Sequence, residues 1–150
     1  GTLLIEKKEK LLPSLAYADL KGVFSLSGDL GLAWKHNAWI TYSKGDFTLS
    51  LSQLYRSSYA NAVLPSATNP IGNTRPDYNA RVKPYVIYNV SISQKIADRL
   101  QLTLGIKNLL NTNPPFAITY DSNTGAGSSW EPRVADPRGR SFNVAVEVRF

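Results

Sequence analysis

The chain has no cysteine, so it holds neither a disulfide framework nor a thiolate metal site, and nothing in it reports a redox compartment. It also lacks any continuous apolar run near the roughly 20 residues that a spanning helix needs, although 43% of its residues are hydrophobic. A helical membrane protein is thereby excluded. No basic segment followed by an apolar stretch opens the chain; Gly1-Thr2-Leu3-Leu4 reads as the middle of a strand, as expected if a leader was removed or the chain is a piece of a longer one. His36 is the single histidine, with no neighbouring sequence that would make a metal or nucleophile site, and reads as a rim or lumen-facing residue. The Asp and Glu residues are scattered without a spaced pair, and no Gly-rich phosphate loop follows a strand to open a helix. No catalytic residue, metal ligand or cofactor is expected.

The net charge of +6 would raise nucleic acid as a partner if the cations were clustered among stacking aromatics. They are not. Lys7, Lys8 and Lys10 alternate with Glu6 and Glu9, while Arg75, Arg81, Lys83, Arg133, Arg138 and Arg140 sit in or beside segments rich in Pro, Gly and Asn. They read as solvated loop charges, with anionic lipid head groups or an anionic ligand as the sharper alternative.

What is present is alternation. In Ser141-Phe142-Asn143-Val144-Ala145-Val146-Glu147-Val148-Arg149-Phe150, the apolar Phe142, Val144, Val146, Val148 and Phe150 fall on every second position, the pattern of a strand with one apolar and one polar face. The same period runs through Leu32, Trp34, Ala38, Ile40 and Tyr42, then through Phe47, Leu49, Leu51 and Tyr55, with Lys44-Gly45-Asp46 as a tight turn in which Gly45 supplies φ > 0. It returns in Val86, Tyr88, Val90 and Ile92, and after a short turn at Ala97-Asp98 in Leu100, Leu102, Leu104 and Ile106. Strands are expected near 2–10, 32–43, 47–56, 83–96, 99–109 and 141–150. Residues 11–30, 57–82 and 111–140 are read mainly as long loops, the last two rich in Pro, Gly and Asn. Loops of that length are uncommon in compact soluble domains and expected in outer-membrane barrels, where short turns and long loops occupy opposite ends. The fold class is therefore all-β, an antiparallel meander of about six strands suited to the wall of a transmembrane barrel; that it is a segment of a large one is what the resemblance described next implies. Aromatics are expected at both membrane interfaces, with Tyr42, Phe47 and Phe150 at the turn end and Trp34, Tyr55, Tyr59 and Tyr85 at the loop end.

Residues 102–115 read Leu-Thr-Leu-Gly-Ile-Lys-Asn-Leu-Leu-Asn-Thr-Asn-Pro-Pro, and residues 136–140 read Asp-Pro-Arg-Gly-Arg. Together with the terminal aromatic strand, this resembles the last two strands of TonB-dependent outer-membrane receptors. Gly105, Asn108, Leu109, Leu110, Asn111, Pro114 and Pro115 fill the family's penultimate-strand pattern, with Leu110 where Phe is more usual. Asp136, Pro137, Arg138, Gly139 and Arg140 fill the segment before the last strand. The physical reading of these residues is that they shape a barrel rim: Asn side chains bond nearby backbone, the Pro pair removes donors and stops the ladder, and Gly139 lets the chain turn back.

The resemblance implies an insertion signal in Phe142, Val144, Val146, Val148 and Phe150, read by the barrel-assembly machinery. It further implies outer-membrane lipid as a partner, a Gram-negative source, and active transport of a scarce ligand of the siderophore, cobalamin or carbohydrate class. Such receptors have about 22 strands and an N-terminal plug. About six strands and no plug are read here, so residues 1–150 form a C-terminal barrel segment, and a TonB-type energy transducer would act only through a part outside them. Ligand-binding residues are not identified. Two alternatives stand beside this one: a complete eight-stranded outer-membrane barrel, and a soluble β-sandwich binding module.

Overall fold

A computed structural model describes residues 1–10, 12–24, 29–61, 81–119 and 127–149. Its main feature is a six-stranded antiparallel sheet with strand order β1-β4-β5-β8-β9-β10: β1 Thr2–Leu3, β4 Trp34–Lys44, β5 Phe47–Arg56, β8 Tyr85–Ala97, β9 Leu100–Lys107 and β10 Ser141–Val148. Two small pairs lie outside it, β2 (Lys8–Glu9) with β3 (Ala18–Asp19) and β6 (Tyr59–Ala60) with β7 (Arg81–Val82). The fold is all-β and the main sheet is a meander, as the alternation predicts.

The turns explain the tight end of the sheet. Gly45 adopts φ 57, and Lys44 pairs directly with Phe47 across it. A Cβ on Gly45 would meet nothing within 4 Å, so Gly45→Ala tests backbone strain alone. It is expected to cost about 1 kcal/mol, read from the denaturation midpoint, and no change would show that the turn relaxes to another form. At the second turn the register slips between Lys95 and Ala97, and Lys95 N donates to Asp46 O at 2.9 Å, tying the two turns together.

Register sorts the side chains cleanly. Opposed pairs Ile40↔Leu51↔Val90↔Ile106↔Phe142, with Leu49↔Ile92↔Leu104↔Val144, put the apolar residues of five strands on one face. The other face carries Thr41↔Ser50↔Ser91↔Gly105↔Asn143 and Thr48↔Ser93↔Thr103. The apolar face is uncovered: Ile40 is 69% exposed, Phe142 71% and Val144 66%. A soluble sandwich would hide such a face under a second sheet about 10 Å away, and among the described residues none packs there.

Several boundaries differ from the sequence reading. The strand expected over 2–10 pairs with β4 only at Thr2 and Leu3; after Ile5 the charged run has no apolar alternation to hold it to the sheet, and Lys8 and Glu9 pair with β3 instead. β4 starts at Trp34 because Leu30 and Leu32 are buried under the loops. β9 stops at Lys107 because Asn108 turns to φ 54, outside the extended region. β10 is paired through Val148; Phe150 lies outside the described residues, as do 11, 25–28, 62–80 and 120–126 of the three long loops.

Candidate functional site at the loop end of the sheet

Every long connection leaves the sheet at one end, and there the loops fold back over the polar face. Tyr85, Ile87 and Leu54 on that face pack with Leu30, Leu32, Tyr59, Val82, Ala117, Val134 and Ala135 from the loops, forming the buried cluster of the molecule. Tyr59 and Tyr85, expected in an interface girdle, are 1% and 2% exposed and belong to this cluster. Their burial follows from position: Tyr85 shares the polar face with Ile87, and the β6–β7 pair tucks Tyr59 beneath the loop base. Trp34 and Tyr55, by contrast, do stand on the apolar face at the loop end, and Tyr42 and Phe47 on the same face at the turn end.

The motif residues form a clamp between the exit of β9 and the entry of β10. Asn108 is 3% exposed, and its Oδ1 accepts from Thr112 N at 2.8 Å while its Nδ2 donates to Thr112 O at 2.9 Å. Asn108 N donates to Asn89 Oδ1 at 2.9 Å and Leu109 N to Tyr88 O at 2.7 Å, so the turn is fastened to β8. Asn111, also at φ 54, accepts from Arg140 N through Oδ1 at 2.9 Å, and Gly139 at φ 71 lets that approach happen. Asn tolerates this left-handed backbone better than most residues, which is why it occupies both places. Gly105 sits beneath Asn143, where a Cβ would run into the amide Oδ1. Leu109 and Leu110 turn toward the apolar face, beside Ala38, Ile40 and Tyr88. Pro114 and Pro115 follow without a strand, and Pro137 lies in the segment that closes over Tyr85 and Ile87.

Two carboxylates hold the returning loop. Asp136 takes a fork from Arg138, Nη2 to Oδ2 at 2.7 Å and Nε to Oδ1 at 2.9 Å, with Lys107 Nζ at 3.3 Å. The Arg138 hydrogen bonds hold its carboxyl well below the usual range, with Lys107 adding to them. Glu131 is 3% exposed and faces Arg133 in a second fork, Nε to Oε1 at 2.8 Å and Nη2 to Oε2 at 2.9 Å. Burial pushes Glu131 up, but the Arg133 side chain and backbone N–H outweigh it and the net shift is down. Both groups therefore take up protons at lower pH in the folded loop than in the unfolded one. Their contribution is present above the ordinary carboxylate range, about pH 4, and is lost as pH falls through the lowered values. Amide exchange of the backbone N–H groups of Val134 and Ala135, both bonded to Glu131 O at 3.0 Å, should be steady from neutral pH to about 5 once corrected for intrinsic rate. It should accelerate below that, and a flat profile into strong acid would show that these pairs do not hold the loop.

Further along the sheet the polar face forms an open hollow of about 430 Å³ lined by hydroxyl and amide side chains, among them Ser50, Ser52, Asn89 and Asn143, with Lys107 at its edge and the exposed Trp39 beside it. Its chemistry suits contact with water rather than a packed core. Among the described residues, no group of three or more His, Cys, Asp or Glu stands together to hold a metal.

An antiparallel meander with an uncovered apolar face, a hydroxyl-rich opposite face, tight turns at one end and long loops at the other is the architecture of a barrel wall. No protein-family model and no curated relative matches the chain. Solved structures do. The ferric enterobactin receptor of Pseudomonas aeruginosa, in a mutant form, matches with TM-score 0.54 at 16% identity over 79% of this chain. Another mutant of the same receptor, in complex with enterobactin, matches with TM-score 0.54 at 17% identity over 78%. The chain spans 16% of the length of those receptors. What is shared is the fold: the six-stranded sheet has the fold of a segment of those receptors' β-barrel.

Proposed function

We propose that residues 1–150 are the C-terminal barrel segment of a TonB-dependent outer-membrane receptor that carries a scarce small molecule inward. The observation that carries this reading is the uncovered apolar face, combined with loops gathered at one end, in a sheet that superposes on receptor barrels. Siderophore, cobalamin and carbohydrate remain the ligand classes, and the enterobactin complex of the neighbouring fold favours the first. Energy coupling would act through a TonB-type transducer on a plug domain outside this chain, and closure of the barrel would pair the open edges of β1 and β10 with further strands. Phe142, Val144, Val146, Val148 and Phe150 would serve as the signal read by the barrel-assembly machinery. The clamp residues, from Gly105 to Arg140, would shape the rim and position loops rather than touch ligand.

The eight-stranded alternative needs two more spanning strands from residues 1–33, where only Thr2–Leu3 joins the sheet among the described residues. The test is uptake by Gram-negative cells producing the full-length protein, supplied in turn with a labelled ferric siderophore, cobalamin and an oligosaccharide. One of these should accumulate, and accumulation should stop in cells lacking the transducer. Transducer-independent behaviour with all three, or a protein absent from the outer membrane, overturns the reading. Deleting Phe150 should also lower the outer-membrane level, and an unchanged level would remove the signal assignment.

A further inference from the structure

Besides Lys44 and Gln94 at the turn end, the apolar face carries a polar interruption at the loop end, and it is organised. Trp34, His36, Gln53 and Tyr88 all stand on that face by register, at the loop end of the sheet. Trp34 Nε1 lies 2.8 Å from His36 Nδ1, His36 Nε2 2.9 Å from Gln53 Oε1, and Gln53 Nε2 2.8 Å from the Tyr88 hydroxyl. His36 is also stacked on Tyr55, ring centroids 5.2 Å apart and planes 11° from parallel.

The direction of this chain follows from chemistry. An indole N–H can only donate, so His36 Nδ1 accepts and the imidazole proton sits on Nε2. That proton goes to Gln53 Oε1, which turns the amide nitrogen toward Tyr88. The Tyr88 oxygen therefore accepts, and its own hydrogen points away from the chain. Two donors are left unused by the row, the Tyr88 O–H and the second Gln53 N–H.

Directly beside these donors lies an apolar groove of about 590 Å³, walled by Ala38, Ile40 and Leu51 and by Leu109 and Leu110 from the clamp turn. Its size falls within the roughly 300–1,000 Å³ of sites that hold drug-sized molecules. Ala38 makes it, being the small residue between Trp34, His36, Ile40 and Tyr42 on the same face of β4. The groove is continuous with the apolar face, and Leu110 is 63% exposed along it.

We propose that this groove holds one membrane lipid at a fixed position, with an acyl chain along Ala38, Ile40 and Leu51 and an ester or phosphate oxygen accepting from Tyr88 and Gln53. The occupant follows from complementarity: an acceptor-rich head on a long apolar tail matches two spare donors at the end of an apolar trough that opens onto the surrounding face. The proposal rests on the outer-membrane reading. His36 is a positioning residue in it, since its tautomer sets which way Gln53 points.

The test uses the full-length protein carrying this chain, purified in detergent, with dipalmitoylphosphatidylethanolamine added as probe and bound lipid counted by native mass spectrometry. The wild type should retain one lipid. Ala38→Trp, which fills the groove, should retain about tenfold less, and Tyr88→Phe, which keeps the ring and removes the donor, about fivefold less. Leu104→Trp, on the same face but outside the groove, should retain as much as wild type. Equal retention in all four proteins overturns the proposal, as does a dimer that Ala38→Trp dissolves, which would make a second copy the occupant. A spin label at Ile92→Cys, with any cysteine outside residues 1–150 replaced, separates the two layers of inference; residues 1–150 hold none of their own. If the Ile92 label lies in lipid and retention is equal, only the groove assignment fails; if it lies in water, the membrane reading fails and takes the groove with it.

Discussion

Replacing Val146 by Arg is expected to cost about 2–4 kcal/mol of folding stability in a bilayer, the penalty for a cation on the lipid face of a barrel near mid-depth. Val146 lies in the body of β10 opposite Leu102, 62% exposed, with Val144 and Val148 flanking it on the same face. Among the described residues none on that face offers it a counter-charge, since the acidic side chain of β10, Glu147, points to the opposite face and bonds Arg149. The neighbouring position supplies the contrast. Ala145 pairs with Thr103 on the polar face, so Ala145→Arg should cost less than about 1 kcal/mol, because its guanidinium reaches water. Urea titration of the full-length protein in phospholipid vesicles measures both. A loss below half a kcal/mol for Val146→Arg, or equal losses for the two variants, would show that the faces are wrongly assigned.

That face assignment was legible in the sequence because a strand's period is 2, so parity alone sorts residues once a strand is found. The hairpin turns were legible for the same local reason: Gly45 between two alternating runs demands a tight return. What parity cannot show is cover. Tyr85 and Ile87 were placed opposite Val86 and Tyr88, but their burial depends on Val134 and Ala135, some 50 positions along the chain. The two-residue strands β2, β3, β6 and β7 are too short to leave any periodic trace, which is why Tyr59 was read as an interface aromatic. The first strand failed for a related reason. Thr2 to Ile5 offers too few apolar positions to fix a register, and the charged run after it has none.

The clamp was legible as a pattern, through Asn108, Asn111 and Gly139, but its partners were not. Asn89, which receives the Asn108 N–H, lies on another strand with nothing local to mark it. In the sequence His36 reads as a lone rim or lumen-facing histidine, whereas register puts it on the apolar face, where it forms one hydrogen-bonded row with Trp34, Gln53 and Tyr88. The signal that could have found it was available: His36 shares parity with Trp34 and Ala38, so a polar residue stood among apolar ones.

Removing Arg133 should loosen the returning loop more than any other single change there. Arg133→Ala leaves the Glu131 carboxylate, 3% exposed, with the backbone N–H of residue 133 at 3.0 Å as its remaining partner from this fork. Breaking a fully buried pair typically costs about 3–5 kcal/mol; the Arg133 side chain is 34% exposed, so a smaller loss of about 2–3 kcal/mol is expected. The pH dependence should also change sign. In the wild type Arg133 outweighs burial and lowers the Glu131 pKa, so the pair stabilises the loop above about pH 4 and is lost toward acid. Without Arg133, burial prevails and raises the folded value above the unfolded one, so the loop favours protonated Glu131 and weakens as pH rises. Amide exchange at Val134 and Ala135 should therefore be fast at neutral pH in Arg133→Ala and become slower, relative to wild type, on acidification. The double variant Glu131→Gln with Arg133→Leu removes both charges and should recover most of the protection, within about 1 kcal/mol of wild type, because a buried ion pair contributes little net stability over an uncharged replacement. A single variant with wild-type pH slope, or a double variant no better than the single, would mean that Glu131 is solvated when the loop is closed and that the loop is held by the apolar cluster of Tyr59, Tyr85, Val134 and Ala135 alone.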